Sequence, residues 1–275
     1  MSSTVPAGIT RGEITMQLRA LGLHAGMGLM VHSSLSRLGW VEGGAEAVIG
    51  ALQDVLTPAG TLLMPSFNHG APFEPGGAGI YDPKSTPTTN GRIPDTFWRQ
   101  DGVLRTLNPT HAIAGWGARA GELLADHHRT STFGARSPYA RLHGMGGWCL
   151  LLGVGYRANT FHHVVEMLTR APCLGYETEL YPVRLPDGRL TMHYTWGWRA
   201  APCPIDDTAA YAPLMRETGQ ERRGMVGQAE AILYPLSAGY QVISRCLADG
   251  LDDTPPCRRC PIRPRTHLWG HTPQP

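Results

Sequence analysis

GLMVHSSLSRLGWVEGGAEAVIGALQDVLTPAGTLLMPSF, residues 28 to 67, decides the fold class. Its opening, GLMVHSSL, reads as a buried strand. Residues 43 to 56, GGAEAVIGALQDVL, carry apolar side chains at helical spacing, and GTLLMPSF (60 to 67) is a second apolar run entered through a Pro-Ala-Gly turn. Strand, helix and strand at these lengths imply a right-handed crossover between two parallel strands.

The neighbouring segments extend the pattern. Upstream, Thr10-Arg11-Gly12-Glu13 fits a capping box, followed at helical spacing by Ile14, Leu18 and Leu21, with Gly22 available to terminate the helix. Downstream, PDTFWRQ (94 to 100) predicts a short helix, HAIAGWG (111 to 117) a strand and ARAGELLADH (118 to 127) a helix. GGWCLLLGVG (146 to 155) is the most apolar strand of the chain. YPVRLPDGRLTMHYTW (181 to 196) predicts a hairpin about Asp187-Gly188, and a final helix is expected over 227 to 248 before a C-terminal tail at 250 to 275. With no repeat and no linker, the simplest reading is one mixed α/β domain over residues 1 to 275.

Bulk properties limit the partners. The chain has 275 residues, 42% of them hydrophobic, which is enough for a substantial core. A formal charge of +2, with basic residues scattered outside the tail, gives no footprint for nucleic acid. The start lacks a basic segment followed by an apolar one, and no run approaches the about 20 apolar residues of a membrane span. A soluble, cytoplasmic protein is therefore expected. Cysteines at 149, 173, 203, 246, 257 and 260 are too sparse for a disulfide scaffold and suit a reducing compartment.

Residues 66 to 94 contain five glycines and five prolines without helical or strand periodicity. Such a loop is either disordered or a functional lid or binding loop; Phe67, Phe73, Tyr81 and Ile93 give it apolar groups to bury.

The chemistry concentrates in GVGYRANTFHHVVEM (153 to 167). Gly153-Val154-Gly155-Tyr156-Arg157-Ala158 matches the G-x-G-x-x-G/A dinucleotide fingerprint in form, with Glu177 and Glu179 about 20 residues on, so an oxidoreductase is one reading. Against it, the stretch lies mid-chain, and Pro172 and Gly175 interrupt any quick return to a parallel strand. Asn159 and Thr160 are good N-cap residues, which places His162 and His163 in the first turn of a helix. There the helix dipole disfavours imidazolium and favours a neutral, proton-accepting ring. Glu166, three residues after His163 and four after His162, can share a face with either ring. The histidines are thus a catalytic pair or ordinary polar residues of a helix start.

Val31-His32-Ser33-Ser34-Leu35-Ser36, the GG-A-x-x-V helix start, GTLLMPSF, Tyr81-Asp82-Pro83, Asn108-Pro109-Thr110-His111, Ser137-Pro138-Tyr139-Ala140-Arg141-Leu142, LLLGVGYRANTFHHVVE and Val226-Gly227-Gln228-Ala229 occur in order from about residue 10 to 250. This set resembles the aminoglycoside 3-N-acetyltransferases, an antibiotic N-acetyltransferase family distinct from the GCN5-related acetyltransferases. The resemblance implies a mixed β-sheet flanked by helices and transfer of the acetyl group of acetyl-CoA to a primary amine, in the 3-N position of an aminoglycoside. It implies that His163 is the general base and Glu166 its partner. The amine attacks directly, without an acyl-enzyme, and Thr160, Ser34 or a backbone N–H is a candidate oxyanion donor.

The same resemblance puts coenzyme A on His32, Ser33, Ser34, Leu35 and Ser36, with Ser137 and Arg141. Glu74 and Asp82, among the acids left to meet a polycation, are expected on the acceptor with Tyr81, Asn159 and His111, the last binding it or bracing the site, and residues 66 to 94 form an active-site loop. Without the resemblance, the serine run is an ordinary polar turn. One departure is visible: Thr191 to Trp198, where some members supply a further acid, holds aromatic residues and no Asp or Glu. A different amine, such as a biosynthetic amino sugar or amino-nucleoside, is the alternative acceptor. Cys257-Arg258-Arg259-Cys260 has zinc-ligand spacing, and Cys203 could complete a structural site; unliganded thiols and a disulfide are the alternatives. A monomer or homodimer is expected.

Overall fold

The computed structural model describes residues 8–73, 79–169, 179–195 and 208–251. A capping box opens α1 (Arg11–Leu21): Thr10 accepts from the Glu13 N–H, Glu13 answers to the Thr10 N–H, and Gly22 closes the helix with a left-handed backbone. β1 (Gly28–Ser33) and β2 (Thr61–Pro65) are joined by α2 (Gly44–Leu56) and pair in parallel, with Gly28 opposite Thr61. The crossover read from residues 28 to 67 is therefore present. Arg11 crosses to α2 and grips Asp54 with two hydrogen bonds of 2.7 and 2.6 Å.

The main sheet is completed by β3 (Leu104–Arg105), β4 (Ile113–Gly117), β5 (Trp148–Leu152), β8 (Arg222–Val226) and β9 (Ala229–Pro235), in the order β3-β4-β2-β1-β5-β9-β8. β5 runs parallel to β1, whereas β4 and β9 run antiparallel to β2 and β5. A separate antiparallel hairpin, β6 (Glu179–Arg184) and β7 (Leu190–Thr195), turns at the expected Asp187-Gly188.

Alternating side chains divide between two cores, as a pleated sheet requires. Leu29, Val31, Leu62, Leu150 and Leu233 pack under α1, α2 and α3 (Arg92–Phe97). Met30, Leu63, Cys149, Leu151 and Ile232 pack against the opposite layer, formed by α4 (Ala120–Leu124), α5 (Pro138–Gly144), α6 (Phe161–Leu168), α7 (Thr208–Glu217) and α8 (Leu236–Leu251). Burial on both faces explains why the middles of β1, β2 and β5 are continuously apolar instead of alternating.

One expected element is corrected. The final helix does not span 227 to 248: residues 229 to 235 form β9, and the helix begins at Leu236. A short apolar run fits either period, and the open edge of β5 decides in favour of a strand. Gly227, at φ 57, makes the turn between β8 and β9.

Among the described residues no helix is long and apolar enough to cross a membrane.

Candidate active site

The three parallel strands end at one place. Their C-terminal ends, with the turn after β5 and the start of α6, enclose a cavity of about 360 Å³ lined by His32, Ser33, Pro65, Phe67, His69, Asn90, His111, Val154, Arg157, Ala158, Thr160 and His163. A second cavity of about 570 Å³ adjoins it, sharing Ser33 and Asn90, and runs past Ser34, Leu35, Ser36, Trp40 and Arg92 to the start of α2. Ligands of α/β sheets collect at such strand ends.

Gly153 brings the end of β5 against the serine loop. It has φ 71, and a Cβ there would lie 2.8 Å from Arg37 Cβ and 3.2 Å from Ser34 O. Only a residue without a side chain lets β5 exit this close to the serine loop.

The opening turn of α6 then sets the chemistry. His163 Nδ1 lies 2.8 Å from Glu166 Oε2, and His162 Nε2 lies 3.3 Å from Oε1 of the same carboxylate. Glu166 is fully buried and His162 is 2% exposed, while the His163 side chain keeps 34% of its surface and lines the first cavity. Because a carboxylate accepts at Nδ1, the proton there stays on the ring and the basic lone pair is on Nε2. The three ligand atoms of this cluster fall within 4.8 Å of one another. Two ligands of one tetrahedral ion at ordinary bond lengths stand about 3.3 Å apart, so the 2.8 Å contact fits a hydrogen-bonded dyad better than a metal set.

An arc of rings braces His163. His69 packs on His111 at 5.1 Å, His111 on Phe133 at 4.7 Å, and Phe133 on His163 at 5.3 Å. His111 is held by Asn108, whose Oδ1 accepts from the His111 N–H at 2.8 Å, and its Nδ1 lies 3.1 Å from Thr110 Oγ1. Burial pulls His32 down to about 4 and His111 well below the usual imidazole range, with neighbouring His69, His163 and His127 adding to the effect on His111. Both are therefore neutral near pH 7, and neither adds positive charge against an incoming ammonium.

His32 to Ser36 line the two cavities, and Thr160, His163 and His111 meet at the first. The other expected site residues lie elsewhere. Ser137 is buried as the N-cap of α5, accepting from the Ala140 N–H, and Arg141 donates to Glu122 O and Ala125 O at 2.6 and 2.9 Å, closing the end of α4. Neither lines either of the two cavities described above; in this structure both serve helix ends. Tyr81 is buried and donates to Thr106 O at 2.8 Å; Asp82 accepts from the Lys84 N–H in a local turn and lies 3.6 Å from Arg184 Nε. Asn159 is buried between Ala158 and Thr160, which both line the first cavity. None of these three lines either cavity. Glu74, Cys203, Cys257 and Cys260 lie outside the described residues.

Phe67, His69, Asn90 and Arg157 line the first cavity without having been singled out from the sequence as site residues. Phe67, His69 and Asn90 belong to the long 66 to 94 loop, and Arg157 to the glycine turn, so only their segments carried a signal. The dinucleotide reading of that turn is not met: α6 leads to β6 in the separate hairpin, not to a strand parallel to β5.

A family model described as aminoglycoside 3-N-acetyltransferase matches residues 30–248. The chain belongs to the aminoglycoside 3-N-acetyltransferase family. One family relative, aminoglycoside N(3)-acetyltransferase VII of Streptomyces paromomycinus, is 32% identical over 250 residues, covering 82% of this chain and 87% of the relative. Among solved structures, AAC-IIIb in a binary complex with CoASH has a TM-score of 0.77 at 27% identity, covering 88% of this chain and 97% of its own. Aminoglycoside acetyltransferase AAC(3)-IVa in complex with a gentamicin also has a TM-score of 0.77, at 28% identity over 97% of this chain and 99% of that chain.

Proposed function

We propose that the protein transfers the acetyl group of acetyl-CoA to a primary amine, that of an aminoglycoside in the 3-N position, with His163 as general base. The observation that carries this is the His163–Glu166 dyad, with His163 in the wall of the first of two adjoining cavities, the first able to receive an amine and the second an extended thioester arm. His163 Nε2 takes a proton from the ammonium. That proton leaves to solvent; as the amine nitrogen bonds to the thioester carbonyl its next proton passes to His163, the carbon–sulfur bond breaks, and His163 gives this proton to the departing thiolate, leaving a neutral amide and a free thiol. Alignment within one ternary complex supplies much of the acceleration, so no acyl-enzyme is required. Thr160 or a backbone N–H of the cavity wall holds the oxyanion. The serine loop and the start of α2 take the coenzyme arm, in keeping with the solved relative that binds CoASH.

The test follows free thiol while the protein turns over acetyl-CoA with gentamicin and other 2-deoxystreptamine compounds. Thiol release that needs both substrates, with a monoacetylated product, is the expected result. No release with any amine overturns the proposal.

A second reading keeps the dyad and the thioester and changes the acceptor. It is favoured by the first cavity, whose described lining carries no carboxylate to meet a polycation. Under that reading small monoamines react faster than aminoglycosides in the same assay.

A further inference from the structure

Glu166 is approached by two imidazoles, one on each oxygen. The i,i+3 and i,i+4 spacings of α6 bring His163 Nδ1 to 2.8 Å from Oε2 and His162 Nε2 to 3.3 Å from Oε1. His162 cannot meet a substrate: it is 2% exposed, lies outside both cavities, and its ring stacks at 21° on Tyr211 of α7, 5.9 Å away. Its ring stands at 85° to that of His163, so the two imidazoles reach the carboxylate from different directions.

We propose that His162 is a positioning residue, holding Glu166 ionised and fixed through the 3.3 Å approach of its Nε2 to Oε1, so that Oε2 stays on the catalytic imidazole. The inference rests on the reading of His163 as the base. A fully buried carboxylate needs a donor on each oxygen to remain charged. The titratable and charged groups around the cluster are few among the described residues. Tyr211 faces His162 from α7, and Tyr156, Tyr234 and the Glu221–Arg223 pair lie behind it. On the cavity side His111 and His69 adjoin His163 through Phe133. From α5, His143 packs on Phe161 and on Tyr240 of α8, Arg141 turns to α4, and Arg245 of α8 is exposed.

The consequence has a definite sign. Removing the imidazole beside Oε1 destabilises ionised Glu166, and the dyad recovers part of that loss only when it holds an extra proton. Its affinity for that proton rises, and the base is unloaded at higher pH. The experiment compares kcat/KM against pH for wild type, His162→Leu and His162→Gln with acetyl-CoA and gentamicin, with His163→Ala as reference. The acidic limb of His162→Leu should move up by about one to two pH units, with about a tenfold or greater loss on that limb. His162→Gln, which keeps an N–H donor, should restore the limb. An unmoved limb in folded His162→Leu, or a glutamine variant as impaired as the leucine one, overturns the proposal. Nitrogen-15 spectra of the wild-type histidines test it without turnover: a His162 proton on Nδ1 instead of Nε2 also overturns it. Activity retained by His163→Ala would sink the base reading, and the nitrogen spectra would still decide the role of His162.

Discussion

At the scale of the residue, the site depends on one imidazole whose two nitrogens have different duties. Nδ1 is committed to Glu166 at 2.8 Å, and the ring is clamped by Phe133. His163→Ala should lower kcat by on the order of 10² or more with little change in KM for acetyl-CoA; steady-state kinetics checks this, and retained kcat would end the role assigned to His163. The sequence could place Glu166 within reach of either histidine, because helical spacing fixes that. It could not say that both rings reach the same carboxylate, since each rotamer is set by Tyr211 and Phe133, which come from α7 and from the segment before α5.

At the scale of the element, the site is held by turns more than by strands. Gly153→Ala forces an alanine into a left-handed backbone at φ 71 and its Cβ against Arg37. A cost of about 1–2 kcal/mol from the backbone alone is expected, before the added clash. A urea midpoint unchanged from wild type would refute it. Arg141 separates two roles. Its bonds to Glu122 O and Ala125 O make Arg141→Ala a stability variant, costing about 1 kcal/mol, with KM for acetyl-CoA unchanged. A several-fold rise in that KM at wild-type stability would return Arg141 to the coenzyme. Neither the Ser137-Pro138 start of α5 nor β9 was read from the sequence, the latter because a seven-residue apolar strand and a helical turn share the same composition.

At the scale of the whole molecule, buried neutral histidines make folding sensitive to acid. His32 and His127 are pulled down to about 4 by burial, and His111 well below the usual imidazole value. Between those values and the ordinary imidazole range near 6.5 the unfolded chain binds more protons than the folded one. Stability is therefore fully present above that range and falls as pH drops toward 4, with a slope of up to about 1.4 kcal/mol per pH unit for each such histidine. Urea midpoints measured from about pH 7.5 down to about pH 5 should decline steadily; a flat series would mean that these rings accept protons without unfolding.

The sequence by itself determined the parallel crossover of residues 28 to 67, the capping box of α1, the hairpin at Asp187-Gly188 and the grouping of His163 with Glu166. Each is a local matter of periodicity, capping or turn chemistry, and contacts a few residues apart on one element follow from backbone geometry alone. Tertiary structure decided the antiparallel flanks of the sheet, the two cavities that meet at Ser33 and Asn90, and the hydrogen-bond partners of Ser137, Arg141 and Tyr81. A polar side chain binds whichever donor or acceptor the fold brings to it first. For these residues that partner is a distant carbonyl or a helix end, which no spacing in the chain encodes.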